Sequence, residues 1–89
     1  MPASRPPTER QLEIASAMLR HHEATGQWPT QRELADELGI RSTNMSPYFS
    51  ALVKKGIAKR VPGRSRRNIA ISSKGEELIR EGWQPSLFR

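Results

Sequence analysis

A mainly helical fold with one small β-hairpin is what this sequence predicts, on three observations. Thr8 with Gln11, Thr30 with Glu33 and Ser73 with Glu76 each stand at the head of apolar residues at helical spacing. In that pattern a hydroxyl and a side-chain carbonyl satisfy the free amides of a helix start. Gly26, Gly39, Gly56 and Gly82 follow the apolar stripes, where a left-handed residue closes a helix. Two runs with β-branched residues, Ile57 to Val61 and Asn68 to Ile71, flank Pro62-Gly63 and a basic loop, which reads as a hairpin. With 89 residues, 35% of them hydrophobic, there is room for one modest core.

In chain order, residues 1–7 hold Pro2, Pro6 and Pro7 without periodicity and are expected to be a flexible leader to a domain over 8–82. Helix 1 is expected over about 8–24, with Leu12, Ala15, Met18 and Leu19 inward and Ile14 at the edge of the stripe. His21 and His22 are adjacent, hence about 100° apart on a helix, and poorly placed to share a metal. Trp28 precedes Pro29 and should be extended, as a core plug or short strand residue. Helix 2 runs over 31–38 on Leu34, Ala35 and Leu38. Helix 3, about 43–55 and capped by Ser42 or Thr43, buries Met45, Phe49, Leu52 and Val53. Pro47 lacks the amide for a bond to Thr43. Either the helix starts at Pro47 with Ser46 as cap, or it starts at Thr43 with a local distortion. The second is preferred, because Met45 fits the buried stripe. Ile57, Val61, Ile69 and Ile71 should face the helices. A short helix over about 74–81 carries Leu78 and Ile79.

Helices 2 and 3, with a tight glycine-containing turn between them, describe a helix-turn-helix; geometry alone leaves a plain helical corner equally open. Charge separates the two. Arg41, Lys54, Lys55, Lys59, Arg60, Arg64, Arg66 and Arg67 fall in one stretch without an acidic residue, while the other 62 positions hold seven Lys/Arg and all nine Asp/Glu. The net charge of +6 is therefore local. So one-sided a segment favours a polyanionic partner over a solvated face.

The outward residues of the third helix, Ser42, Thr43, Asn44, Ser46, Pro47 and Tyr48, are small and polar apart from the proline and the tyrosine. They are the candidates for base contacts: Asn pairs with adenine, hydroxyls reach bases or phosphates, and Pro and Tyr carbons meet a thymine methyl. Gln31, Arg41, Ser50, Lys54, Lys55, Lys59 and Arg60, with Arg64, Ser65, Arg66 and Arg67 of the hairpin tip, are the candidates for phosphate contacts. The tip would lie on the backbone or enter the minor groove.

Residues 83–89 form a tail rich in large apolar groups. Trp83, Leu87 and Phe88 either fold back on the core or belong to a linear motif. Gln84-Pro85-Ser86-Leu87-Phe88 resembles the pentapeptide by which bacterial replication and repair proteins dock on the sliding clamp, with Gln84, Leu87 and Phe88 as its anchors. Leu78, Ile79 and this tail are also the only material for a homodimer contact.

Thr8-Glu9-Arg10-Gln11, Gly26 to Thr30, Arg32-Glu33-Leu34-Ala35, Leu38-Gly39, Arg41-Ser42, Ala51-Leu52, Lys55-Gly56 and the hairpin after them together resemble the N-terminal domain of the LexA repressor family. From Leu52 to Leu78, with Ser72-Ser73-Lys74-Gly75, the chain is also similar to MarR-type proteins. The resemblance implies a three-helix winged helix-turn-helix, helix 3 in the major groove and the hairpin as wing. The stretch from Gly39 to Gly56 is one residue shorter than in that family, and the acidic pair expected on its recognition helix is absent. The base preference is therefore not carried over, and only Ser42 and Asn44 match family base-contacting positions. The family's C-terminal protease domain has no counterpart here, so self-cleavage and dimerisation of that kind are not expected.

The sequence thus predicts a double-stranded-DNA-binding regulator of bacterial or phage type, in the cytoplasm with the nucleoid, without cofactor. The alternatives are an accessory protein recruited to a clamp through its tail, and a winged helix that binds protein. With no cysteine there is no disulfide framework or Cys-based zinc site, and no apolar run suits a membrane. An enzyme is not expected: there is no Gly-rich phosphate loop and no carboxylate pair beside a histidine.

Overall fold

Thr8 accepts the Gln11 amide at 3.1 Å and donates its own to Gln11 Oε1 at 3.0 Å, and this reciprocal cap starts α1, Glu9–Thr25. Thr30 and Glu33 repeat it at 3.0 and 2.9 Å to start α2, Gln31–Leu38. A computed structural model describes residues 8–64 and 66–81 of the chain. The leader 1–7, Ser65, Gly82 and the tail 83–89 lie outside the described residues. After α2 come a tight 3-10 turn at Ser42–Asn44, α3 at Met45–Lys54, β1 at Ala58–Arg60, β2 at Ile69–Ile71 and α4 at Ser73–Arg80.

Both inner helices end alike. The Ile40 amide donates to Ala35 O at 2.9 Å and the Gly39 amide to Asp36 O at 3.4 Å; Ile57 and Gly56 repeat the pair on Leu52 O and Val53 O at 2.9 and 3.0 Å. This double closure needs a left-handed residue, and Gly39 and Gly56 take it at φ 69° and 79°. It then turns an apolar residue, Ile40 or Ile57, back onto the core.

α3 departs from the expected 43–55. The α-helix begins at Met45, after the 3-10 turn, and neither Ser42 nor Thr43 supplies a side-chain cap. Pro47 is the physical reason. A continuous α-helix from Thr43 would press the proline ring on the Thr43 carbonyl and waste that acceptor. The tighter turn, with Asn44 N–H on Arg41 O at 2.8 Å and Met45 N–H on Ser42 O, puts Pro47 in the first α-turn, where no amide is needed. Met45 stays fully buried.

β1 and β2 pair antiparallel, Ala58 with Ile71 and Arg60 with Ile69, and Val61 N–H adds a bond to Asn68 O at 2.8 Å. Ile57, Ile69 and Ile71 are buried as expected; Val61, at the end where the hairpin leaves the helices, is only half-buried. Ile14, expected at an edge, is fully buried, and so is Ala17. α1 packs against α2, α3, β2 and α4, so its buried arc is wider than one stripe. Ile14, Met18, Leu34, Met45, Leu52 and Ile57 form the centre, each contributing about 1.5–3 kcal/mol by burial.

The cap of α4 is Ser72 rather than Ser73. Its hydroxyl accepts the Gly75 amide at 3.0 Å and reaches the carbonyls of Gly56 at 2.5 Å and Ile57 at 3.0 Å. One side chain thus fixes α4 to the end of α3. Leu78 and Ile79 pack against the core, and Arg80 bridges Glu23 of α1 and Glu76 at 2.5 and 2.7 Å.

Candidate nucleic-acid interface

The recognition segment is the 3-10 turn plus the outer side of α3. Ser42, Thr43, Asn44, Ser46, Pro47 and Ser50 are exposed, while Met45, Phe49 and Leu52 are buried. At about 100° per residue, Ser46, Ser50 and Lys54 follow one another along one line opposite the buried line. Ser50, expected at phosphate, therefore shares the face of Ser46 and Pro47. The face is polar, and small enough for a helix axis to approach a partner closely.

Tyr48 stands elsewhere. It is half-buried and packs against the core. Its oxygen lies by the Arg10 guanidinium, which Glu13 first and Tyr48 second hold above the usual arginine range. It borders α1 instead of standing in the middle of the outward face.

The described cations differ in what surrounds them. Outside the basic tract, Arg10, Arg20 and Arg80 each lie within 4 Å of a carboxylate, Glu13 at 2.6 Å, Glu37 at 3.9 Å and Glu23 at 2.5 Å, while Arg32 and Lys74 are exposed without an acidic partner among the described residues. Within the tract, Arg41, Lys54, Lys59, Arg60, Arg64 and Arg66 are exposed. Among the described residues none of these six pairs with an acidic group.

The other two members of the tract are engaged with the protein. Lys55 Nζ donates to Gln11 Oε1 at 2.7 Å, joining the end of α3 to the cap of α1. Arg67 Nη1 and Nη2 meet the two oxygens of Glu33 at 2.7 and 3.2 Å, and Nη1 also donates to Trp28 O at 3.1 Å. Glu33 is consequently held far below the usual carboxylate value, at about 2, by the Thr30 amide first and the Arg67 guanidinium second. Gln31, expected at phosphate, has its side-chain amide on Ser42 O at 2.5 Å. It orients the entrance to the recognition turn from within.

α2's first turn therefore ties together both elements of the interface. Gln31 holds the start of the recognition segment, and Glu33 holds the last residue of the hairpin tip. Neither contact was legible in the sequence. The partners lie 11 and 34 residues apart, and a capping-box glutamate already has a complete local explanation.

Behind this turn, His22 stacks on Trp28 with ring centroids 4.0 Å apart and planes 11° apart. His21 Nε2 stands 3.9 Å from Glu33 Oε1. Trp28 packs on the core, one of the two roles expected for it. Among the described residues no cluster of His, Asp or Glu is arranged to hold a metal, and no helix is long and apolar enough to cross a membrane. Ser65 and the tail residues Gln84, Leu87 and Phe88 lie outside the described residues.

The family model for the LexA DNA binding domain matches residues 4–67, which include α1 to α3 and the hairpin tip. The chain is 43% identical over 63 residues to the LexA repressor of Haemophilus influenzae (strain PittGG), covering 70% of this chain and 30% of that protein. It is 39% identical over 79 residues to the LexA repressor of Shewanella baltica (strain OS155 / ATCC BAA-1091), covering 88% of this chain and 38% of that protein. With the LexA repressor of Saccharophagus degradans (strain 2-40 / ATCC 43961 / DSM 17024) it shares 43% identity over 60 residues, covering 66% of this chain and 30% of that protein. This chain thus corresponds to about a third of the length of these relatives.

Proposed function

Since the chain belongs to the LexA DNA-binding-domain family, we propose that it binds double-stranded DNA with sequence preference and acts as a transcriptional regulator. The supporting observation is the segregation of charge. Six of the exposed cations without an acidic partner among the described residues lie in the segment that carries the recognition turn, α3 and the hairpin, and only Arg32 and Lys74 lie outside it. Cations left unneutralised on one functional segment are an electrostatic footprint for phosphate.

In this reading α3 and the turn before it enter the major groove. Ser42, Thr43, Asn44, Ser46, Pro47 and Ser50 approach base edges. Tyr48 meets the backbone at the border of the groove. Arg41, Lys54, Lys59 and Arg60 neutralise phosphates, while Arg64 and Arg66 follow the backbone or the minor groove. Asn44 carries the clearest base-reading chemistry, because its amide can donate to and accept from one adenine edge.

The test is selection of bound duplexes from a random pool, repeated with Asn44→Ala. The substitution should weaken the selected site by about 1–3 kcal/mol and relax one position. An unchanged site bound with unchanged affinity would remove α3 as the reader. A single or a palindromic selected site also reports whether one copy or two engage the duplex. If no duplex is retained even at low salt, the surface serves a protein partner instead.

A further inference from the structure

Arg67 combines two features that are hard to reconcile with a simple phosphate contact. It is the only described non-glycine residue with positive φ, at 50°. A side chain in that left-handed region costs about 1–2 kcal/mol. Such strain persists where the surroundings hold it in place. Here the surroundings are the two oxygens of Glu33 and the Trp28 carbonyl. The guanidinium is engaged with α2 and the Trp28 carbonyl, whereas Arg64 and Arg66 of the same tip are exposed and have no acidic partner among the described residues.

Glu33 is equally overcommitted. Its Oε1 accepts the Thr30 amide at 2.9 Å and Arg67 Nη1 at 2.7 Å. Its helix also carries Gln31, whose amide holds Ser42 O. The hairpin tip and the recognition turn are therefore fastened to the same helical turn. His21, 3.9 Å away, is the other cationic candidate facing this carboxylate.

We propose that Glu33 and Arg67 are positioning residues that latch the wing, fixing where Arg64 and Arg66 stand relative to α3, so that wing and helix engage one duplex together. This rests on the duplex-binding reading above. A bidentate pair suits the role, since a planar fork sets direction as well as distance. Without it the two wing arginines keep their charge but lose their placement.

The sign of one substitution separates a latch from a direct contact. Glu33→Gln keeps the capping box, because glutamine serves as well at that position, as Gln11 does in α1. It removes the anion and the forked pair. If Arg67 were a phosphate ligand tied up by Glu33, removing that negative charge would tighten binding. The latch predicts the opposite: about tenfold weaker binding to the selected duplex, and a log K against log salt slope shallower by about 2, the share of two lost phosphate contacts. Arg67→Gly, which relieves the backbone, should weaken binding similarly with the helical circular dichroism preserved.

A cycle with Arg64→Ala/Arg66→Ala guards against a general loss of structure. In that background Glu33→Gln should cost nothing further, because the wing it positions no longer contributes. Equal or tighter binding by Glu33→Gln overturns the latch and leaves duplex recognition standing. A full additional loss in the cycle also overturns it. Failure of the unsubstituted chain to bind any duplex at low salt overturns the recognition reading itself, and the latch with it.

Discussion

Glu33 illustrates how one side chain can look fully explained and still hold a second role. As the third helical residue after Thr30 it completes a capping box, and a sequence reader has no reason to ask more of it. Folding brings Arg67 to the same carboxylate, and the two influences leave its pKa at about 2 against an ordinary 4.5. A depressed carboxylate stabilises the fold above its unfolded value. As pH falls below about 4.5 the unfolded chain takes up the proton first, and the contribution disappears as pH passes through about 2. Wild type should therefore be more stable than Glu33→Gln at pH 7, and the gap should close on acidification. The side chain is 42% exposed, so solvent keeps the gap small. Urea unfolding of both proteins from pH 7 downward checks it, the other carboxylates titrating alike in the pair. A gap independent of pH would mean that the carboxylate is not held as described.

At the level of elements, local chemistry was legible and contacts between elements were not. The two reciprocal caps at Thr8 and Thr30 and the glycine closures at Gly39 and Gly56 involve neighbours in sequence, and α1 and α2 start and stop within about one residue of expectation. Pro47 signalled a disturbance at the start of α3, but sequence could not say that a 3-10 turn would absorb it. The cap of α4 falls at Ser72, one residue before the Ser73 that the spacing predicts. Ser73 fits the spacing, yet Ser72 is the hydroxyl that also reaches the end of α3, and tertiary fit prevailed over pattern. Gly75 belongs to the same junction. It is buried, and a Cβ there would stand 2.1 Å from the Ile57 carbonyl oxygen. Backbone on both sides leaves little room to yield, so Gly75→Ala should destabilise by about 2–3 kcal/mol. Chemical denaturation measures it. A loss below about 0.5 kcal/mol, the level of an indifferent surface change, would show that α4 does not sit against Ile57 as described.

Across the whole molecule, most cations without an acidic partner among the described residues gather on the recognition segment and wing, with Arg32 and Lys74 outside them. The sequence located the basic tract but treated its eight cations as equivalent. The fold withdraws Lys55 and Arg67 into internal contacts and leaves six exposed, whereas Arg10, Arg20 and Arg80 lie near carboxylates. This sorting makes a quantitative claim about salt. Six phosphate contacts at about 0.9 released counterion each give a slope of log K against log salt near −5. Removing Arg66 should lower its magnitude by about 1 and weaken selected and unrelated duplexes alike, because a phosphate ligand carries no sequence information. Removing Arg80 should leave the slope unchanged, although it deletes the same formal charge, because that charge serves the docking of α4 on α1. Titration of labelled duplex with Arg66→Ala and Arg80→Ala over a salt series makes the comparison. Equal effects of the two would mean that net charge alone draws the protein to DNA. A slope that only Arg66 changes would tie affinity to the unpaired cations on the recognition segment and wing.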